Sequence, residues 1–130
     1  MVEGLTLHFA EARKAVEVAE SQKYKIIATD EMTAVAVEDS VSPTQLWSAL
    51  LDLSAIREEE PVIIVVKDLR TPGAYSLWRP DRHKDRIDFR KIGGERVVFK
   101  HTSGFMAVVR GESAEEVATF VLEQLDDYDF

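Results

Sequence analysis

Eight residues in the second half of the chain have the chemistry to hold a single strand of nucleic acid: Trp78, Arg79, Arg82, Lys84, Arg86, Arg90, Phe99 and His101. Guanidinium and ammonium groups neutralise phosphates and release counterions. Every base has a π-face, and stacking one on an aromatic ring contributes about 1–3 kcal/mol. The charge distribution singles out this stretch. Residues 67–101 carry ten Lys and Arg against five Asp and Glu, whereas the remainder carries six against nineteen. A net charge of −8 therefore conceals a basic segment in an acidic chain.

Other chemistry is harder to build from these residues. Asp81, His83 and Asp85 alternate and could present three metal ligands on one side of an extended segment, but Arg82, Lys84 and Arg86 between them would repel a cation. His101 and Ser103 are spaced as a base and a nucleophile, yet no acid is placed to orient the imidazole and no Gly-x-Ser-x-Gly elbow surrounds the serine. Gly93-Gly94 lacks the Lys and Ser/Thr of a phosphate loop. These absences lead to the expectation of a non-enzymatic protein with no metal and no cofactor.

The elements that must position the eight residues follow from periodicity and caps. Leu5, Phe9, Ala12, Val16 and Ala19 recur at helical spacing, predicting a helix over residues 6–21, although 5–9 also alternate like a strand. Residues 23–29 and 32–38 read as a hairpin around Asp30-Glu31. Ser42, Pro43 and Gln45 form a capping box with proline at the first helical position, and Leu46, Trp47, Ala49, Leu50 and Leu53 follow as an apolar stripe. Glu58-Glu59-Glu60 would oppose the helix dipole and so lie beyond its end. Val62 to Val66 are five β-branched residues in a row, the pattern of a strand buried on both faces. Thr71-Pro72-Gly73-Ala74 fits a type II turn leading into a strand over 74–78, and residues 79–85 read as a polar loop. Residues 105–110 are a further strand, and Ser113 with Glu116 caps a last helix whose inner face is Val117, Phe120, Val121 and Leu125. The predicted fold is α+β: an antiparallel sheet of about five to seven strands with about three helices on one face, in the order α-β-β-α-β-β-β-β-β-α.

Gly93-Gly94 is a two-residue hairpin signal, so residues 86–92 and 95–101 are expected to pair. Counting outward puts Ile87, Phe89 and Val98 on a core face. Arg86, Arg90, Phe99 and His101 then face solvent, an aromatic ringed by cations. Arg79, Arg82 and Lys84 would extend the phosphate track. Solvated cations that merely cover a wet sheet face are the plain structural alternative.

The 130 residues suit one domain, read as 1–130 with a short acidic, aromatic tail at 126–130. Cysteine is absent, no basic and apolar leader opens the chain, and no stretch is long enough to span a membrane, which together predict a cytoplasmic protein. Asparagine is also absent and 31% of residues are charged, a composition shared with thermophilic proteins. The tail, Asp126-Asp127-Tyr128-Asp129-Phe130, resembles the acidic, Phe-terminated tail of bacterial single-stranded-DNA-binding proteins over about five residues. That resemblance implies partner recruitment and competition with nucleic acid for a basic face. Two functions are therefore expected. The first is binding of single-stranded DNA or RNA through the basic aromatic face. The second is an acidic protein-protein adaptor, inhibitor or chaperone-like homodimer, with Tyr128 and Phe130 offering a partner contact.

Overall fold

The computed structural model describes residues 2–126, with side chains from Ala10 to Leu125. Helix α1 (Val2–Glu20) leads into strands β1 (Lys25–Ala28) and β2 (Thr33–Ala36), then helix α2 (Pro43–Asp52), strands β3 (Val62–Lys67) and β4 (Ala74–Trp78), two 3-10 turns (Asp81–His83 and Phe89–Lys91), strands β5 (Val97–Lys100) and β6 (Met106–Arg110), and helix α3 (Ala114–Asp126). The class is α+β, as the sequence predicts. The six strands form one mixed sheet in the order β1-β2-β3-β4-β6-β5. Every pairing is antiparallel except β2 with β3, which α2 joins as a crossover.

Local sequence accounts for most boundaries. Ser42 is the N-cap of α2 and its hydroxyl accepts from the Gln45 backbone N–H at 3.4 Å, with Pro43 in the first turn. Ser113 does the same for α3 through the Glu116 N–H at 3.0 Å, and the Glu116 carboxylate reaches back to the Glu112 N–H. The turn before β4 closes through Ala74 N–H to Thr71 O at 3.1 Å, with Gly73 at φ +76°.

Two expectations are corrected. The helices do not share one face. Helices α1 and α2 cover Val35, Val37, Val62, Ile64 and Val66, whereas α3, over β1, β2 and β3, and the segment carrying Ile87, Phe89 and Ile92 share a core on the other face with Ala34, Ala36, Ile63, Val65, Tyr75, Leu77, Ala107 and Val109. Val62 to Val66 are all buried, and a strand apolar on both sides needs a layer on each. The contact stripe of α1 also shifts by a residue: Ala15, Val18 and Ala19 are buried while Val16 is exposed.

The second correction is the Gly93-Gly94 hairpin. Residues 86–92 form no strand, which leaves four strands rather than five between α2 and α3. Asp88 accepts from the Arg90 N–H at 3.0 Å and starts a 3-10 turn. Ile87, Phe89 and Ile92, spaced two and three apart, are all fully buried beside α3. Strand pairing would have sent those three to opposite faces. The true partner of β5 is β6, across the turn Thr102-Ser103-Gly104.

Candidate functional site: an open half of the sheet

Strands alternate their side chains, so β4 and β6 each present one row to the α3 layer and one row to the opposite face. Tyr75, Leu77, Ala107 and Val109 go to the core that α3 shares with Ile87, Phe89 and Ile92. Ser76, Trp78, Met106 and Val108 go to the other side, where α1 and α2 cover the β2–β3 half of the sheet. Helix α2 reaches the end of β4, where the Trp47 and Trp78 rings lie 6.0 Å apart, and beyond that contact β4, β6 and β5 line a groove of about 550 Å³. Trp78, Met106 and Val108 line it between the 40–43 segment and β5, with the 68–71 loop as part of its border. Val108 is 9% exposed yet belongs to neither main core. Phe99 lies opposite it in register, beside a bulge at Val98.

The border adds apolar surface and charge. Leu69 is 84% exposed and Phe99 46%, the two most exposed large apolar side chains around the groove. Lys67, Asp68 and Arg70 are the charged residues of the lining. Asp68 is satisfied internally, accepting from Thr71 N–H and the Ser76 hydroxyl, both at 2.9 Å. Lys67 and Arg70 form no ion pair among the described residues. The border thus carries two cations and the Asp68 carboxylate around an apolar floor, with Lys67 also near enough to Asp39 to favour its charged form. At the β5–β6 end, the His101 ring sits 4.5 Å from Phe105 and 6.5 Å from Phe99.

The structure divides the eight residues singled out by the sequence. Trp78, Phe99 and His101 come together on or beside the open half-face. The cations do not join them. Arg79 is 2% exposed, and its guanidinium donates to Pro80 O and Ser103 O, both at 3.2 Å, with Nε unpartnered. Burial pushes that guanidinium below its ordinary pKa. Arg82 pairs with Glu58, and Arg86 donates to Glu31 O at 3.3 Å. Arg90 grips the Asp88 carboxylate and also donates to Thr102 O at 2.8 Å. That grip holds the Asp88 carboxyl below its usual pKa. Lys84 is exposed beside the first 3-10 turn. These four surface cations stem from the 81–91 segment, whose Ile87 and Phe89 pack on the α3 side, and none of them lines the groove.

The loop expected to be polar is partly core. His83 is 5% exposed with Nε2 unpartnered, and its pKa is lowered first by burial and then by Arg82, Arg86 and Arg79. The His101–Ser103 pair does form, with Nδ1 2.7 Å from the Ser103 hydroxyl and 3.2 Å from the Ser103 N–H. Both contacts close the β5–β6 turn, which Gly104 N–H to His101 O completes at 3.0 Å. Among the described residues no three His, Cys, Asp or Glu converge on a point that could hold a metal, and no helix is long and apolar enough to cross a membrane.

The sequence matches no known family model and no curated protein. The groove residues missed by sequence reasoning are Leu69, Lys67, Arg70, Met106 and Val108. Leu69 had a local signal, a lone leucine between Asp68 and Arg70. Met106 and Val108 had the alternation of β6, but nothing local says that no helix covers their side. The partner contact expected at Tyr128 and Phe130 falls outside the described residues.

Proposed function

We propose that this chain is a non-enzymatic protein-binding module that docks a short apolar segment of a partner on the open half of its sheet. One observation carries the reading: β4, β6 and β5 line an open apolar groove, with Phe99 and Leu69 exposed beside Met106 and with Trp78, packed on Trp47, at its inner edge. A contiguous exposed apolar patch bordered by charge is the signature of an interaction surface. Its size favours a segment over a folded partner. Three strands about 4.8 Å apart and about five residues long span roughly 14 by 17 Å. That footprint is about 240 Å², well below the ~800 Å² that each partner of a standard stable interface contributes. The groove border, Lys67 and Arg70, favours a segment carrying acids.

A displayed library of random peptides selected on the full chain tests the reading. Enrichment of aromatic or aliphatic peptides, lost on Phe99→Ala, is the expected result; no enrichment refutes it. A second reading, binding of single-stranded nucleic acid, is favoured by the grouping of Trp78, Phe99 and His101. It is weakened by the ion pairs and burial that occupy Arg79, Arg82 and Arg90. A labelled thymidine oligomer titrated at low and high salt decides it, because phosphate contacts make affinity fall steeply with salt.

A further inference from the structure

Resting on that reading, we propose that the docked segment is an amphipathic α-helix of a partner protein, lying beside α2 with acids on the flank that faces Lys67 and Arg70. The floor of the groove supplies the reason. Strand β4 spends its backbone N–H and C=O groups on β3 and β6, and β6 spends its own on β4 and β5. The floor therefore offers side chains and no main-chain hydrogen bonds. A segment laid extended over Met106 and Val108 would bury its own backbone groups without partners, which is costly. A helix brings those bonds with it, already made along its own length. Only the outer edge of β5 could take an added strand. It is a poor template, four residues long with a bulge between Val97 and Phe99.

The proportions of the groove agree. Three strands are about 14 Å across, and a helix with its side chains is about 10–12 Å in diameter. One helix therefore fits beside α2, extending the layer that α1 and α2 already form on this face. Strands of about 17 Å match about 11 helical residues, three turns. Apolar residues at i, i+3, i+4 and i+7 of such a helix share one face, which meets Met106, Val108 and Phe99, with Leu69 on the border. The acids there are already engaged: Asp68 accepts from Thr71 N–H and the Ser76 hydroxyl, and Asp39 pairs with Lys14. Lys67 and Arg70 form no ion pair among the described residues. The charge left to meet a partner is positive.

Two displayed libraries of equal composition, selected on the full chain, test the proposal. One fixes apolar residues at helical spacing over about fourteen positions, and the other alternates them as in a strand. We expect enrichment in the helical library alone, with Asp or Glu recurring on one flank. A selected peptide should gain helical circular dichroism on binding, because so short a helix is marginal alone. Its affinity should fall about tenfold with Leu69→Ser or Phe99→Ala, both exposed positions where the fold tolerates change. Proline at the centre of the peptide should cost roughly a hundredfold. Selected helices indifferent to Lys67→Glu with Arg70→Glu would overturn the charge pairing. Equal enrichment of the alternating library, or no effect of proline, would overturn the helix and leave the protein-binding function standing. Enrichment in neither library overturns both, as does a thymidine oligomer binding the groove in their place. Concentration-dependent self-association lost on Phe99→Ala would make a second copy the occupant and overturn the partner helix.

Discussion

Gly104 is where the observed path of residues 86–104 is most exposed to a single substitution. Its φ is +76°, and a Cβ there would collide with the Asp88 carboxylate oxygen and stand 3.0 Å from its Cγ and 3.4 Å from Arg90 Nε. Its carbonyl also accepts from the Phe89 N–H at 3.0 Å. Gly104→Ala therefore does two things. It forces a left-handed alanine, costing about 1–2 kcal/mol. It also displaces Asp88, whose side chain caps the 3-10 turn carrying Phe89, for about 1 kcal/mol more. The sum, about 2–3 kcal/mol, corresponds to a fall of roughly 1.3–2 M in the urea midpoint at a slope of about 1.5 kcal/mol per molar. Gly93→Ala is the control, because a Cβ there meets nothing within 4 Å and its φ is not positive. A double-mutant cycle isolates the collision: with Asp88→Ala already in place, Gly104→Ala should cost only the backbone part. Equal effects of Gly93→Ala and Gly104→Ala, or strict additivity with Asp88→Ala, would refute the turn geometry and restore the Gly93-Gly94 hairpin.

Other outcomes follow from the same coordinates. His83 is held neutral by burial and by Arg82, Arg86 and Arg79, so the unfolded chain binds more protons below its ordinary pKa of about 6.5. Stability should fall as pH drops from about 6.5, by up to about 1.4 kcal/mol per unit; His83→Gln should flatten urea midpoints between pH 7.5 and 5.5 relative to the unaltered chain, and parallel curves would contradict this. Glu38 accepts from the Tyr75 hydroxyl at 2.8 Å and from the Ala114 N–H at the start of α3. Burial first and then Glu38 push the Tyr75 phenol up to about 12, so Glu38→Gln should lower its ultraviolet titration midpoint while leaving it above 10, and an unchanged midpoint would show that Glu38 plays no part. Phe89 is fully buried and Phe99 half exposed, so Phe89→Ala should cost about 3–5 kcal/mol and Phe99→Ala under about 1 kcal/mol in thermal or urea unfolding. Similar costs would mean the two rings are placed otherwise.

The folded chain separates what is encoded locally from what is not. The serine N-caps at Ser42 and Ser113, the turn at Thr71 to Ala74 and the buried run Val62 to Val66 were legible because each depends on residues within a few positions. The Gly93-Gly94 hairpin was misread for the same reason. A two-residue glycine turn is a local signal, but burying Ile87, Phe89 and Ile92 together against α3 outweighs it, and α3 lies more than twenty residues further on. Arg79 shows the limit for polar residues. Its charge looks exposed in sequence, and only the carbonyls of Pro80 and Ser103, brought together by β4 and the β5–β6 turn, make its burial tolerable.

For the candidate site, the sequence alone determined the ingredients: an acidic chain with a basic, aromatic stretch, and among its residues Trp78, Phe99 and His101. Only the tertiary structure decided their company. The open groove exists because α1 and α2 cover β2 and β3 and reach β4 at Trp78, leaving the rest of their side of the sheet to the groove. The basic stretch splits because Ile87, Phe89 and Ile92 anchor its middle on the other side. Coverage is a property of layers packed across the whole chain, and no window of neighbouring residues contains it.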